Sequence, residues 1–371
     1  MSSENEIFTD DEDEFQVESI IRLSPVMFRG EYELDNSILT FRGHTGSVYA
    51  LDFRNTLVAS GGGDDLAYFW DIRNGETLFQ CTGHQDSVVA IGFNHDSSLI
   101  ATGDLAGFVQ IWNNFSFDLE CSYETGDDLQ WMLWHYNSNI IIRGGLSGNI
   151  YLNLVSTHNS KIFVGYGASC TAGKVLDDGI HLISGYYDGL TRVWNMRDES
   201  FKNIQEVSGS ISCIDYRENV ALVGSTSGDI MLFNHQSAEV YRLMQLVYSY
   251  ALEDITPACV ETVGFSRSIP VYFAGGSNNM LHLYDAATHE LRHALRHPVR
   301  GGCVLKAQWV GNNVISSCTD GVLRMWDGLS GRQVRSFHGH HQEIYDFAVD
   351  ENEHLIVSCD LSAICKVFSF R

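Results

Sequence analysis

An aromatic residue recurs at a nearly constant interval along this chain of 371 residues. Each one, or the single asparagine that replaces it, ends a short apolar segment: Trp70, Trp112, Asn153, Trp194, Phe233, Tyr284, Trp326 and Phe368. The successive gaps are 42, 41, 41, 39, 51, 42 and 42 residues. A period of this length, with turn residues between short strand-like segments, is typical of arrays in which each unit is one small sheet. The spacing therefore predicts eight such units.

The clearest unit runs from Gly83 to Trp112. It opens with a Gly-His pair, continues through alternating apolar residues and a turn of small residues, and closes with the Trp. An earlier copy runs from Gly43 to Asp71, and another ends at Trp326-Asp327. These copies resemble the WD-repeat family, whose unit is one four-stranded propeller blade. The resemblance implies an all-β fold, a single closed WD-repeat β-propeller of eight blades. Seven blades is the alternative, if the weak third or fifth unit is not a blade.

The two ends of the chain differ from the repeats. Residues 1–36 form an acidic leader and linker, and residues 1–18 hold eight Asp or Glu and no Lys or Arg. Charge at that density predicts a disordered tail. Residues 37–371 form the predicted propeller, in which Ser37 to Phe41 is a strand completing the last blade, since closure leaves no unpaired sheet edge. The gap of 51 residues predicts a longer loop at 242–261, whose conformation is left open.

Removing residues 1–18 should leave the melting temperature nearly unchanged, because this segment contributes little apolar surface to a core. Thermal unfolding of the full chain and of a chain starting at residue 19 measures the difference. A large loss of stability on truncation would contradict the prediction.

In the family, each blade holds a hydrogen-bonded relay of a His, a Ser or Thr, an Asp and the closing Trp, which satisfy one another when buried. The resemblance implies these relay residues: His44, Ser60, Asp64 and Trp70 in blade one; His84, Thr102 and Trp112 in blade two; Asp188 and Trp194 in blade four; Ser316, Asp320 and Trp326 in blade seven; His340 in blade eight. Ala106 and Ser362 stand where blades two and eight should carry the Asp, and no Gly-His precedes the matches in blades four and seven. We interpret these His and Asp residues as structural, not catalytic.

The charge of the chain constrains its partners. There are 47 acidic and 23 basic residues, for a formal net charge of −24. Such a surface repels nucleic-acid backbones and anionic lipids and attracts cations. We predict a monomer that binds a basic protein or peptide segment, with no direct nucleic-acid binding and no membrane insertion. The nine cysteines include no C-x-x-C pair, and neither a secretory signal nor a run of ~18 apolar residues occurs, which predicts a cytoplasmic protein.

Catalytic motifs are not visible in the sequence. Residues 167–174 approach a phosphate-binding loop, but the spacing is one residue too long and Val175 follows where a Ser or Thr is needed. The histidines at 338–341 overlap the Gly-His of blade eight and lack the spaced partners that zinc requires. We predict a non-enzymatic protein with no cofactor and no metal.

Acidic residues crowd the rim that carries the Gly-His loops and the relay turns. We predict a partner-binding acidic face made of Asp65, Asp86, Asp104, Asp127, Asp128, Glu261, Glu343 and Asp360, with Glu253 and Asp254 nearby and with Trp131 and Tyr345 placed to stack on a guanidinium. Carboxylates around a narrow channel focus negative potential and pair well with arginine. The alternative is that these are ordinary solvated loop charges.

Within the family, segments 75–88, 95–104, 126–132 and 318–327 resemble an animal member associated with cell migration, angiogenesis and small-GTPase signalling. That resemblance implies a location in the cytoplasm and at the cell periphery. The chain is similar, more distantly, to a fungal member that is a dedicated chaperone of one basic large-subunit ribosomal protein. The acidic charge favours the second role. Our hypothesis is a chaperone that holds a basic segment of such a protein during ribosome assembly, and the alternative is a migration and angiogenesis scaffold acting through small GTPases.

Overall fold

The computed structural model describes residues 34–249, 255–299 and 301–371. Within these ranges the regular structure consists of 34 β-strands, of which 32 form eight four-stranded antiparallel sheets and two form a small hairpin. The prediction of an eight-bladed propeller is confirmed, and the seven-bladed alternative is excluded. Residues 1–33, most of the predicted acidic leader, lie outside the described residues. No helix long and apolar enough to cross a membrane occurs in the described part of the chain.

The first four blades follow one another along the chain. Blade one comprises β2 (Val48–Arg54), β3 (Leu57–Gly62), β4 (Ala67–Asp71) and β5 (Thr77–Cys81). Blade two comprises β6 (Val88–Phe93), β7 (Leu99–Asp104), β8 (Val109–Asn113) and β9 (Leu119–Tyr123). Blade three comprises β10 (Leu129–Trp134), β11 (Ile140–Gly145), β12 (Ile150–Leu154) and β13 (Asn159–Phe163). Blade four comprises β14 (Cys170–Val175), β15 (His181–Tyr186), β16 (Thr191–Asn195) and β17 (Phe201–Ile204).

The last four blades include the hairpin and the closing strand. Blade five comprises β18 (Ile211–Arg217), β19 (Val220–Ser225), β20 (Asp229–Asn234) and β21 (Val240–Gln245). The hairpin pairs β22 (Val247–Ser249) with β23 (Ile255–Pro257). Blade six comprises β24 (Val260–Phe265), β25 (Val271–Gly276), β26 (Met280–Asp285) and β27 (Leu291–Arg296). Blade seven comprises β28 (Val304–Val310), β29 (Asn313–Cys318), β30 (Leu323–Asp327) and β31 (Gln333–Phe337). Blade eight comprises β32 (Ile344–Asp350), β33 (Leu355–Asp360), β34 (Cys365–Ser369) and β1 (Leu39–Phe41).

Each blade is a sheet whose two middle strands are buried on both faces. All residues of β3 and β4 are buried, whereas most residues of the outermost strand β5 are exposed. Continuous apolar runs therefore form the middle strands, because both of their faces pack on neighbouring blades. Eight hydrophobic clusters result, one in each interface between adjacent blades.

The ring is closed by the first strand of the chain. β1 pairs antiparallel with β34, and Phe41 lies opposite Cys365. The buried Lys366 ammonium lies 2.5 Å from Asp35 Oδ2, and burial of that carboxylate is outweighed by the ammonium and by Ser37, which lower the pKa of Asp35 to about 2. Asn36 accepts a hydrogen bond from the His338 amide. The predicted closing strand is confirmed, and contacts with blade eight already begin at Asp35 and Asn36, which we had assigned to the leader.

The register confirms that the eight closing residues are structurally equivalent. Each one lies opposite the second residue of the second strand of its blade, as Trp70 lies opposite Val58 and Asn153 opposite Ile141. The extra residues between blades five and six form the β22–β23 hairpin. Its tip, with Glu253 and Asp254, lies outside the described residues.

Candidate functional site: the channel mouth on the upper face

The upper face of the propeller is the end at which the chain enters each innermost strand. Neighbouring strands are antiparallel, so the turn between the second and third strands reaches the same end. The innermost strands β2, β6, β10, β14, β18, β24, β28 and β32 contact one another in that order around the central channel, and β32 contacts β2. The upper ends of these strands, the loops that precede them and the turns between the second and third strands of each blade form what we call the channel mouth.

The relay of blade one fixes two loops of the upper face to each other. His44 Nε2 lies 2.9 Å from Ser60 Oγ, and its Nδ1 lies 3.0 Å from Asp64 Oδ1. The Trp70 indole N–H donates to Ser60 Oγ over 3.2 Å. Because an indole only donates, the Ser60 hydroxyl directs its own proton to His44 Nε2, and Nδ1–H donates to Asp64. The relay thus runs in one direction, from the tryptophan to the carboxylate.

In blades two and eight a carboxylate completes the relay, contrary to our expectation that the relay Asp is missing there. His84 Nδ1 lies 3.2 Å from Asp104, and His340 Nδ1 lies 2.7 Å from Asp360. The relay Asp is the last residue of the second strand, two residues before Ala106 and Ser362. In blade one that position is Gly62, where a Cβ would lie 2.9 Å from His44 Nδ1 and 3.1 Å from Asp64 Oδ1. The carboxylate therefore comes either from the strand end or from the turn.

Asp104 and Asp360 consequently do not belong to the exposed acidic rim that we predicted. Both residues are fully buried. Burial favours the neutral acid, but hydrogen bonds from His84 and from the Gln85 and Phe108 amides outweigh it and lower the pKa of Asp104. In the same way, the hydrogen bond and charge of His340 outweigh burial and lower the pKa of Asp360. Each carboxylate is charged and already has its partners within the blade.

Blade seven has a histidine that sequence reasoning missed. His297 Nε2 lies 3.1 Å from Ser316 Oγ, which also accepts the Trp326 indole N–H at 2.9 Å. Arg324 donates to His297 Nδ1 at 3.0 Å and pairs with Asp320, so this ring carries its proton on Nε2. Burial and the guanidinium lower the pKa of His297 to about 3, which keeps the ring neutral. The available signal was a His 19 residues before the relay Ser, without the preceding Gly.

Blades three and four replace the relay with other hydrogen bonds. Asp127 accepts from the Ser147 amide at 2.8 Å and from the Tyr151 hydroxyl at 2.9 Å. Asp188 accepts from the Tyr166 hydroxyl at 2.6 Å, while Trp194 donates to Ser184 at 3.0 Å. Asp127, which we predicted to bind a partner, is half-buried and holds its own blade together.

All eight innermost strands contain a β-bulge at their upper end. In each, the pairing with the second strand skips one residue, as between Val48 and Ala50 in β2. The skipped residues are Tyr49, Val89, Gln130, Thr171, Ser212, Glu261, Leu305 and Tyr345. A bulge redirects a side chain away from the regular ladder and is common beside binding sites. The fold thus places one bulged residue per blade, outside the regular pairing of the sheet, around the channel mouth.

The remaining predicted carboxylates lie at the channel mouth and are open to solvent. Asp65 and Asp128 are exposed, and Asp86, Glu261 and Glu343 are half-buried. None of these five forms an ion pair with another described residue. Glu261 accepts from the Cys259 thiol at 2.9 Å, and burial together with this carboxylate raises the pKa of Cys259. We refer to these five residues as the mouth carboxylates.

The predicted aromatic partners are separated by the structure. Tyr345 is 45% exposed and meets the Tyr49 ring edge-to-face, with 5.7 Å between ring centroids. Trp131 instead lies against Gly144 and Gly173, where an added Cβ would be 2.2 Å and 2.4 Å from the indole. Trp131 therefore packs between blades three and four, and Tyr49 takes its expected place as the second aromatic residue at the mouth.

Basic residues are distributed unevenly between the two faces. On the lower face, Arg54, Arg73 and Arg292 pair with the carboxylates of Asp52, Asp71 and Asp285. On the upper side, the buried Arg324 and Lys366 pair with Asp320 and Asp35. The exposed Arg42 and Arg296 lie at the upper ends of the outermost strands β1 and β27. The mouth carboxylates therefore remain available to an external cation.

The arrangement of the channel mouth is suited to binding a cationic segment. Within the described ranges, no three His, Cys, Asp or Glu side chains are grouped so as to hold a metal ion. Acidic side chains together with the exposed Tyr345 and the half-buried Tyr49 can accept Arg or Lys side chains of an extended segment.

Comparison with known proteins agrees with this architecture. Residues 35–71, 75–113 and 331–369 match the family described as WD domain, G-beta repeat. The angio-associated migratory cell protein of Homo sapiens is 33% identical over 350 residues, which is 90% of this chain and 80% of that protein. The ribosome assembly protein SQT1 of Saccharomyces cerevisiae is 22% identical over 353 residues, 85% of this chain and 81% of that protein.

Two solved structures share the fold. The crystal structure of Saccharomyces cerevisiae Sqt1 has a TM-score of 0.81 at 18% identity and covers 90% of this chain and 99% of that one. Chaetomium thermophilum Sqt1 bound to the N-terminus of the ribosomal protein L10 has a TM-score of 0.80 at 22% identity, with 91% and 100% coverage. With its eight blades and its relative at 33% identity, the chain belongs to the WD-repeat family, among the relatives of the angio-associated migratory cell protein.

Proposed function

We propose that this protein is a non-enzymatic chaperone that holds a basic segment of a large-subunit ribosomal protein at its channel mouth during ribosome assembly. The observation that carries the proposal is the set of mouth carboxylates, which have no basic partner among the described residues. The net charge of −24 adds a long-range attraction for a basic client. The proposal is further supported by the similarity to a protein named for ribosome assembly, and by a fold neighbour whose structure contains the N-terminus of L10.

Binding of a synthetic peptide of the L10 N-terminus should depend steeply on salt. Raising the ionic strength from about 0.1 M to about 1 M shortens the Debye length from ~10 Å to ~3 Å, which screens exposed charge pairs. Isothermal titration at both ionic strengths, with a peptide of scrambled sequence as control, measures the effect. Affinity that does not change with salt would contradict a charge-held client.

Charge-reversal variants distinguish binding at the channel mouth from a nonspecific effect of the negative net charge. Asp86→Lys, Asp128→Lys and Glu343→Lys should each weaken the peptide by about tenfold or more, about 1.4 kcal/mol, while leaving the melting temperature nearly unchanged. The matched control is Asp118→Lys, an exposed carboxylate in a lower-face turn with the same change in net charge. Equal losses in the control and the mouth variants would show that only net charge matters and would place the site elsewhere.

The second candidate function is a scaffold in cell migration, favoured by the name of the relative at 33% identity. A scaffold of this kind would bind partners through surfaces other than the mouth carboxylates. Affinity capture with the wild-type protein and with the Asp128→Lys variant distinguishes the two functions. Loss of ribosomal proteins from the variant supports the chaperone, and an unchanged set of partners supports the scaffold.

A further inference from the structure

Blade three lacks the tryptophan and the hydroxyl that build the relay in other blades. In the register of the sheets, Arg143 occupies the position of Ser60 and Thr102, and Asn153 occupies the position of Trp70. An arginine has replaced the relay hydroxyl, and a short amide has replaced the indole. Between blades two and three, the slot that an aromatic ring fills in the other interfaces is therefore polar.

A cavity of about 500 Å³ lies at this place. It is lined by Ser122, Tyr123, Glu124, Thr125, Arg143, Tyr151, Asn153, Ser160 and Ile162. Pockets for small molecules commonly have volumes of about 300–1,000 Å³ with a few convergent polar groups. The hydroxyls of Ser122, Thr125 and Ser160 in this lining can donate to oxygen atoms of a ligand.

Arg143 lines this cavity with a buried guanidinium that is only partly satisfied by hydrogen bonds. The residue is 2% exposed, and Nη1 donates to the Gly107 carbonyl at 2.7 Å. Nε and Nη2 are buried and have no hydrogen-bond partner in the described part of the chain, and neither does Asn153 Oδ1. No carboxylate of the described residues pairs with Arg143. The guanidinium also lies 5.5 Å from the centroid of the Tyr151 ring. A buried charge without an anionic partner is costly, so the unpaired Nε and Nη2 favour an anion beside them.

The unpaired atoms of Arg143, Nε and Nη2, form the edge of the guanidinium with which other arginines of this protein bind carboxylates. Arg73 uses Nε and Nη2 together on Asp71, and Arg292 uses the same two atoms on Asp285. This edge presents two parallel N–H groups that match two oxygens of a carboxylate or phosphate. Burial lowers the pKa of Arg143 to about 10, so the guanidinium is still charged at neutral pH.

We propose that blade three contains a binding site for the oxyanion group of a small molecule, held in two-point contact by Nε and Nη2 of Arg143. This site is separate from the mouth carboxylates and independent of the proposed chaperone function. Asp127 and Asp104 lie close enough to influence Arg143, but both are bonded within their own blades. Glu124, an exposed residue at the rim of the cavity, is the one lining carboxylate that could occupy the site instead.

Thermal unfolding in chloride, acetate and inorganic phosphate at equal ionic strength tests the proposal with the full chain. Phosphate or acetate should raise the melting temperature of the wild-type protein by a few degrees, with saturation. A rise with phosphate alone assigns a phosphate-bearing ligand, and an equal rise with acetate assigns a carboxylate. Arg143→Gln should abolish the rise, whereas Arg73→Gln, whose same edge is already on Asp71, should retain it.

A second variant keeps the test decisive if Arg143→Gln does not fold. Ser160→Trp closes the cavity from an exposed position and leaves Arg143 in place, so it should also abolish the anion effect. Equal effects of the anions on the wild type, on Arg143→Gln and on Ser160→Trp would overturn the proposal. An anion effect seen only in Glu124→Gln would also overturn it, because the occupant of the wild-type site would then be Glu124.

Discussion

Replacing Trp70 by alanine should lower the free energy of unfolding by about 3–5 kcal/mol, the cost of deleting a large buried side chain. Trp70 is fully buried and stacks on Phe41, with 4.5 Å between ring centroids and an angle of 4° between the ring planes. Phe41 belongs to the closing strand of blade eight, so the indole joins the first blade to the last. The change also leaves Ser60 and His44 without the donor that orders their relay.

Urea unfolding of the wild type and of Trp70→Ala measures this loss from the midpoint and the slope. The matched control is Phe115→Ala, an aromatic residue that is 80% exposed and should cost less than about 0.5 kcal/mol. Trp70→Phe should fall between the two, since Phe233 and Phe368 occupy the equivalent position in blades five and eight. Equal costs for Trp70→Ala and Phe115→Ala would show that the aromatic stack does not stabilise the ring.

A chain that begins at residue 42 should be destabilised more than the Trp70→Ala variant. It lacks β1, so β34 becomes an open sheet edge, and Phe41, which is 3% exposed, no longer covers the core. Loss of the phenyl ring costs about 3–5 kcal/mol, and the buried Lys366 without Asp35 adds a comparable penalty for an unpaired charge. An open edge also pairs with other chains, so the product should self-associate.

The comparison should use a chain that begins at residue 34, which retains β1 and the Asp35–Lys366 pair. Unfolding in urea gives the stability, and sedimentation velocity gives the state of association. The chain from residue 34 should match the full-length protein in both measurements. A monomeric and fully stable chain from residue 42 would show that closure by β1 is dispensable.

The number of blades and the closing strand could be predicted from the sequence because a blade is a local unit. Four strands joined by short turns pair with their neighbours in the chain, so the period of the pattern is also the period of the structure. The same reasoning located the closing strand before Gly43. The slot occupied by Trp70 and Asn153 was equally predictable, because its place is set by register within one sheet.

The identity of the relay carboxylates and the burial of Trp131 could not be predicted, because they depend on contacts between elements that a repeat pattern does not show. Ala106 and Ser362 align with the relay Asp, yet Asp104 and Asp360 provide the carboxylate, because a side chain at the strand end reaches the same space. Trp131 reads as a surface aromatic, but two glycines without Cβ atoms let the neighbouring blade cover it.

The composition of the channel mouth and the cavity at Arg143 were also decided by the tertiary structure. The buried cations Lys366 and Arg324 pair with Asp35 and Asp320. The folded positions of such cations therefore decide which acidic side chains of the upper loops remain unpaired. Arg143 has its unpaired edge beside a cavity in the one described blade whose slot holds an amide, Asn153, and not an aromatic ring. Sequence determined the local pairing within each blade, whereas packing between blades determined which polar groups are left for a partner, since that packing brings together side chains far apart in the chain.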